Sequence, residues 1–177
     1  VRPVAALRDQ LLAGRVIALA GGVPAEVEQT LRELGAEVRS DPEPPVEALV
    51  YDAMPAFGAG GAERLRQALD GAWSAIAAAA NTALIPRQRT GKVILLAPPP
   101  AAGAHAEAAR SALENLARTL SVEWARYGIT VTMVARGEAT SDDEVAQLVA
   151  YLLSVAGDYF SGCRFELGRA VPARREK

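Results

Sequence analysis

Short runs of β-branched and apolar residues alternate along this chain with segments whose apolar residues recur every three or four positions. That alternation limits the fold to right-handed βαβ units around a parallel sheet, because parallel neighbours need a crossover and a helix is the usual one. The first run, Val16-Ile17-Ala18-Leu19-Ala20, is followed by Gly21-Gly22 and then by a helical pattern from about Pro24. Val27, Leu31 and Leu34 share one face of that helix, and Gly35 stops it. A short strand, Ala36 to Arg39, runs into Asp41-Pro42-Glu43-Pro44-Pro45, which suits neither a helix nor a central strand.

The alternation continues to the end of the chain. Ala48 to Tyr51 reads as a buried strand, Gly58 to Gly61 as a flexible loop, and 62–81 as a long helix with Leu65, Leu69, Trp73 and Ile76 on its inner face. Val93 to Leu96 forms the next strand, closed by Pro98-Pro99-Pro100. A second long helix over 104–127 carries Leu113, Leu116, Leu120 and Trp124 in register and ends at Gly128. Ile129 to Val134 is a strand. Ser141, with Glu144 three residues on, marks the start of the last helix through a capping box, and Val145, Leu148, Val149, Leu152 and Leu153 give it an apolar face. The final strand, Cys163 to Leu167, alternates apolar and charged residues, as expected at a sheet edge or near a partner. The expected architecture is a single three-layer α/β domain over 1–177 with a mostly parallel sheet of about six strands, and 172–177 as a loose tail.

Composition excludes several classes. With 177 residues, half of them hydrophobic, one core of good size is the natural outcome. A net charge of -2 with no basic stripe argues against nucleic acid. One cysteine, Cys163, and one histidine, His105, leave no internal disulfide and no metal set. A reducing, cytoplasmic setting follows from that cysteine usage. The longest apolar stretch, Ala75 to Ala80, is too short to cross a bilayer. The opening residues, with Val4, Leu7, Leu11 and Leu12 in an amphipathic turn, do not read as a signal peptide. Asp142-Asp143-Glu144 is expected to favour a helix dipole in water rather than to hold a metal.

The segment from Ala112 to Val131, with Leu113-Glu114-Asn115-Leu116-Ala117-Arg118-Thr119-Leu120 at its centre, resembles a helix and the following strand of short-chain dehydrogenase/reductases. The pattern is closest to that of the β-ketoacyl carrier-protein reductases. Asp143-Glu144-Val145-Ala146, Tyr159-Phe160-Ser161-Gly162 and Phe165-Glu166-Leu167-Gly168 resemble the last helix and strand of the same family. The resemblance covers almost the whole chain and implies a Rossmann-type fold, NAD or NADP as cofactor, and hydride transfer assisted by a tyrosine-lysine pair.

The family's functional positions are nevertheless replaced. Its glycine-rich phosphate loop corresponds to Ala20-Gly21-Gly22-Val23-Pro24, about three residues short and with proline in place of the last glycine; a plain strand-to-helix turn is the expected role. The asparagine-asparagine-alanine-glycine segment appears as Tyr51-Asp52-Ala53-Met54, which puts bulk and charge beside the position of the nicotinamide ribose. The later asparagine maps to Ala72, the catalytic serine falls near Ala97-Pro98, and the tyrosine and lysine map to Ala106 and Arg110. Alanine cannot exchange a proton, and Arg110 has no phenol to tune. His105 lies about 100° round the helix from Ala106 and faces elsewhere. One strand-helix unit is missing between Val38 and Leu49, and the mobile substrate lid is missing between Gly137 and Ser141, where Arg136 replaces the usual proline.

The resemblance therefore implies a non-catalytic subunit that associates with a full-length active dehydrogenase/reductase or with itself. No cofactor is expected in this chain; NAD or NADP would belong to the partner. The family packs its two long helices against a second subunit, so Trp73, Ala77, Ala108, Ala112, Leu116, Trp124 and Phe165 are candidates for an interface, each equally compatible with ordinary core. An NAD(P)-dependent oxidoreductase with a rearranged site using Tyr51, His105 or Arg110, and a homo-oligomeric binding module holding another ligand in the crevice, are the alternatives.

Overall fold

In the computed structural model, residues 7–54, 61–87 and 90–168 are described; Val1 to Ala6, most of the glycine-rich loop and the tail 172–177 lie outside them. Six strands form one sheet: β1 (Val16–Ala20), β2 (Glu37–Arg39), β3 (Ala48–Asp52), β4 (Gly91–Ala97), β5 (Ile129–Ala135) and β6 (Arg164–Glu166). Their order across the sheet is β2-β1-β3-β4-β5-β6, and every pairing is parallel, which sharpens the expectation of a mostly parallel sheet. β3 and β4 are buried along their whole length, as parallel strands covered on both faces must be. β6 stands at one end of the order, where its alternating sequence placed it.

Helices α1 (Ala25–Glu33) and α4 (Asp142–Leu153) cover one face, sharing a core of Val27, Leu31, Val145, Val149 and Leu152 with Ile17, Val50 and Ile94 of the sheet. Helices α2 (Ala62–Ala79) and α3 (Ala106–Glu123) cover the other. The capping box of α4 is formed in full: the Ser141 hydroxyl accepts from the Glu144 N–H, and the Glu144 carboxylate accepts from the Ser141 N–H. Residues 40–47 join β2 to β3 without an intervening helix, and a turn over 137–140 leads from β5 straight to α4. Both gaps expected from the sequence are therefore real features of the fold.

The inner face of α2 differs from expectation. Its buried residues are Ala68, Ala72, Ile76 and Ala79, whereas Leu65 and Leu69 lie half-buried on the flank and Trp73 is 50% exposed. Tyr51 of β3 accounts for the difference. Its ring belongs to the core beneath α2, and its hydroxyl oxygen lies 3.0 Å from where a Cβ on Gly71 would sit. The bulk comes from the strand, so the helix presents small residues to it. In α3, Leu113 and Leu120 are buried as expected, with Leu116 and Trp124 packed on the margin of the same core. A π-type turn, Ala80–Leu84, follows α2 directly and buries Ala80, Ala83 and Leu84.

One buried charge holds the lower end of the sheet. Lys92 lies second in the apolar strand β4 and is 3% exposed. Its ammonium donates to the carbonyls of Leu152 (2.9 Å) and Ser154 (2.7 Å) and pairs with Asp158 at 2.6 Å. It thus satisfies the Leu152 carbonyl in the last turn of α4 and adds to the Gly157 N–H that the Ser154 carbonyl already accepts. Burial pushes the Lys92 pKa down, opposed by Asp158. Replacing Lys92 by Met should cost about 3 kcal/mol, because two carbonyls and a carboxylate lose a buried donor. Urea unfolding of the variant checks this, and a loss below about 1 kcal/mol would show that water replaces the ammonium.

Candidate functional site

In an open parallel sheet the ligand crevice lies beyond the C-terminal ends of the strands, where the chain order reverses, and here that point falls between β1 and β3. Gly21, the first residue after β1, has φ +85°, and a Cβ there would overlap the carbonyl oxygen of Asp52 at the end of β3. The glycine is therefore required by contact between two strand ends within the chain. Gly22 also has positive φ, and Pro24 caps α1 with its carbonyl accepting from Val27 N–H at 3.0 Å. Above this turn opens a cleft of about 640 Å³ lined by residues 19–23, Glu28, Arg32 and residues 38–41.

The other half of the crevice holds charged side chains. Asp52, 2% exposed at the end of β3, accepts from the Arg136 guanidinium at 2.7 Å, and Arg136 directly follows β5. The pair reaches past the end of β4, where Ala97 is fully buried. Arg136 also pairs with Asp142 at the start of α4 (3.3 Å). Burial raises the Asp52 pKa above the ordinary carboxylate value, against the lowering effects of Arg136 and of the Met54 N–H.

Arg110, near the start of α3, is 1% exposed. It donates to the carbonyls of Pro98 and Arg136, both at 2.7 Å, and pairs with Glu166 (3.1 Å) and Glu107 (3.3 Å). Glu166 is shared with Arg164, which pairs in turn with Glu114. Glu138 accepts from the Ala101 N–H at 2.8 Å, joining the loops after β4 and β5. The C-terminal ends of β3, β4, β5 and β6 are thus linked by one run of ion pairs and backbone contacts.

The remaining positions are dispersed. Ala72 and Ala106 are fully buried in helices, and the Tyr51 side chain lies in the core under α2 rather than at the crevice, with its pKa raised by burial and by Asp52. His105 is half-buried at the N-cap of α3, outside the helix. Among the described residues no group of three or more His, Cys, Asp or Glu is placed to hold a metal. Of the interface candidates, Trp73 and Ala108 are exposed, whereas Ala77 and Ala112 are half-buried. Leu116 and Trp124 are half-buried against the core, and Phe165 packs edge-on to Phe160 at 5.2 Å. Asp52, Arg136 and Lys92 carried a signal that periodicity does not read: each is a charge within or directly after a strand that is otherwise apolar.

The raised pKa of Asp52 fixes the sign of a pH effect. A carboxyl whose folded pKa lies above its unfolded value of about 3.9 stabilises the fold at low pH, and that contribution is lost as pH rises through the folded pKa. The stability of the wild type relative to Asp52→Asn should therefore improve as pH falls from 7 to 4 in paired urea titrations. A trend of opposite sign would mean that the Arg136 pair outweighs burial. Arg136→Met, which strands Asp52, should lose about 3 kcal/mol at pH 7 in the same assay.

No family model matches the sequence, and no curated protein does. Solved structures do match. A citronellol catabolism dehydrogenase of Pseudomonas aeruginosa is 19% identical, with a TM-score of 0.71, covering 92% of this chain and 96% of its own. A short-chain type dehydrogenase/reductase of Mycobacterium marinum is 18% identical, with a TM-score of 0.71, covering 88% and 94%. A protein of Beutenbergia cavernae assigned as an NAD(P)-dependent gluconate 5-dehydrogenase, with NADP bound at low occupancy, is 16% identical, with a TM-score of 0.72, covering 90% and 97%.

Proposed function

The chain has the Rossmann-like fold of the short-chain dehydrogenase/reductases, and we propose that it works as a non-catalytic subunit beside an active dehydrogenase/reductase. One observation carries this reading. The positions that correspond to the family's proton-transfer set are the buried alanines Ala72, Ala97 and Ala106, and Arg110 spends its donors on Pro98, Arg136 and Glu166. A dehydrogenase needs a group that exchanges a proton with the substrate oxygen as hydride moves. Alanine has none, and the Arg110 guanidinium is engaged by two carbonyls and a carboxylate.

Association is supported by the outer surface of the helical layer. Trp73 on α2 is half exposed, and Val122 on α3 is 76% exposed. A large aromatic side chain left in water at a helix surface is the type of residue that anchors an interface.

Co-expression with an intact short-chain dehydrogenase/reductase from the same host, followed by native mass spectrometry, tests the reading. A mixed oligomer is expected, and Trp73→Asp should weaken it at least about tenfold while leaving the unfolding midpoint of the isolated chain unchanged. A chain that stays monomeric with every such relative, or that turns over an alcohol or ketone with NAD(P) alone, defeats it.

A further inference from the structure

At the end of the sheet opposite the crevice, the strands bring a second set of charges together. Arg15 directly precedes β1, Glu47 directly precedes β3, Lys92 is the second residue of β4, and Arg87 lies four residues before that strand. Main-chain bonds fix Glu47 among them: its N–H donates to the Val16 carbonyl at 2.9 Å, and its carbonyl accepts from the Lys92 N–H at 3.2 Å. The Glu47 carboxylate is divided between two arginines, with Oε1 accepting from Arg15 at 3.3 Å and Oε2 from Arg87 at 3.1 Å. Lys92 lies within electrostatic reach of Arg15 and Glu47, and its own carboxylate partner is Asp158. Three cations thus share two carboxylates, and one positive charge is left over.

Water screens that surplus only in part, because the Arg15 and Arg87 side chains are each 25% exposed. Arg87 spends a further donor on the Pro45 carbonyl at 3.2 Å. The Arg15 side chain has no acceptor but Glu47 among the described residues, so most of its N–H groups remain available. Beside the arginines opens a cleft of about 670 Å³, lined by Gly14, Val16, Pro44, Pro45, Glu47 and Arg87. We propose that this cleft binds a small monocarboxylate with an apolar body, whose carboxylate takes the surplus charge of Arg15 and Arg87 and whose body lies against Val16, Pro44 and Pro45. A planar carboxylate matches the guanidinium fork and brings the one negative charge that the group lacks. A doubly charged phosphate overshoots that balance beside Glu47.

Titration calorimetry on the full chain at constant ionic strength, with benzoate, acetate and inorganic phosphate, tests the proposal. Benzoate should saturate at about millimolar concentration or below, and acetate and phosphate should each bind at least about tenfold more weakly. Gly14 offers a change that removes no contact, since a Cβ there meets nothing within 4 Å and its φ of +76° is one that Asn and Asp tolerate. Gly14→Asp, which supplies the missing negative charge at the cleft, should weaken benzoate at least about tenfold, whereas Gly14→Asn should stay within about threefold of the wild type. Arg87→Gln should also lose at least about tenfold. Thermal melts show whether each variant is folded, and the Gly14 pair decides if Arg87→Gln is not. No saturable benzoate binding at about 10 mM, or a Gly14→Asp variant that binds as well as the wild type, would overturn the site. Acetate or phosphate binding as tightly as benzoate would overturn the ligand class. The site uses none of the residues on which association rests, so a monomer that binds benzoate defeats only the partner reading, and a mixed oligomer without benzoate binding defeats only this one.

Discussion

The ion pair between Asp52 and Arg136 is the contact on which the character of this crevice depends. It joins the ends of β3 and β5, which are not neighbours in the sheet, and passes beyond the end of the strand between them. A buried pair of this kind is not by itself a strong source of stability, because desolvation offsets much of the attraction. Its effect is geometric. With Asp52 buried, Arg136 cannot withdraw without leaving that carboxylate without its cation, so the ends of β3 and β5 stay joined.

Two buried cations, Lys92 and Arg110, work in a similar manner at opposite ends of the sheet. Lys92 draws the last carbonyls of α4 and the turn after it onto the N-terminal end of β4. Arg110 draws the loops after β4 and β5 onto the N-terminal part of α3. Arginine suits that second task because its planar fork serves several acceptors at once. Arg110 thus directs its charge toward main-chain carbonyls and Glu166.

The fold was largely legible because its evidence is local. Runs such as Val93 to Leu96 and Ile129 to Val134, and the Ser141–Glu144 cap, identify their elements through periodicity and turn chemistry. α2 shows where that reasoning failed. Leu65, Leu69 and Trp73 look like its inner stripe, but the ring of Tyr51 occupies the space beneath the helix, so alanines and Ile76 face inward and Trp73 turns outward. Which face of a helix is buried depends on what the opposite layer contributes, and no window on the helix holds that information. Of the candidate site, Asp52, Arg110 and Arg136 stand out in the sequence as single residues, but nothing in it says that Asp52 pairs with Arg136 or Arg110 with Glu166.

By itself the sequence determined the order and type of the elements and the parallel arrangement that βαβ alternation imposes. Only the tertiary structure decided which charged side chains meet at the strand ends. Asp52 and Arg136 are 84 residues apart, and Arg110 and Glu166 are 56 apart. They meet because a parallel sheet delivers the C-terminal end of every strand to the same edge of the domain, whatever the distance along the chain. A charge at the end of one apolar strand signals that a partner is needed, since burial without one is prohibitive. Its identity follows from strand order and helix packing, which are properties of the assembled sheet.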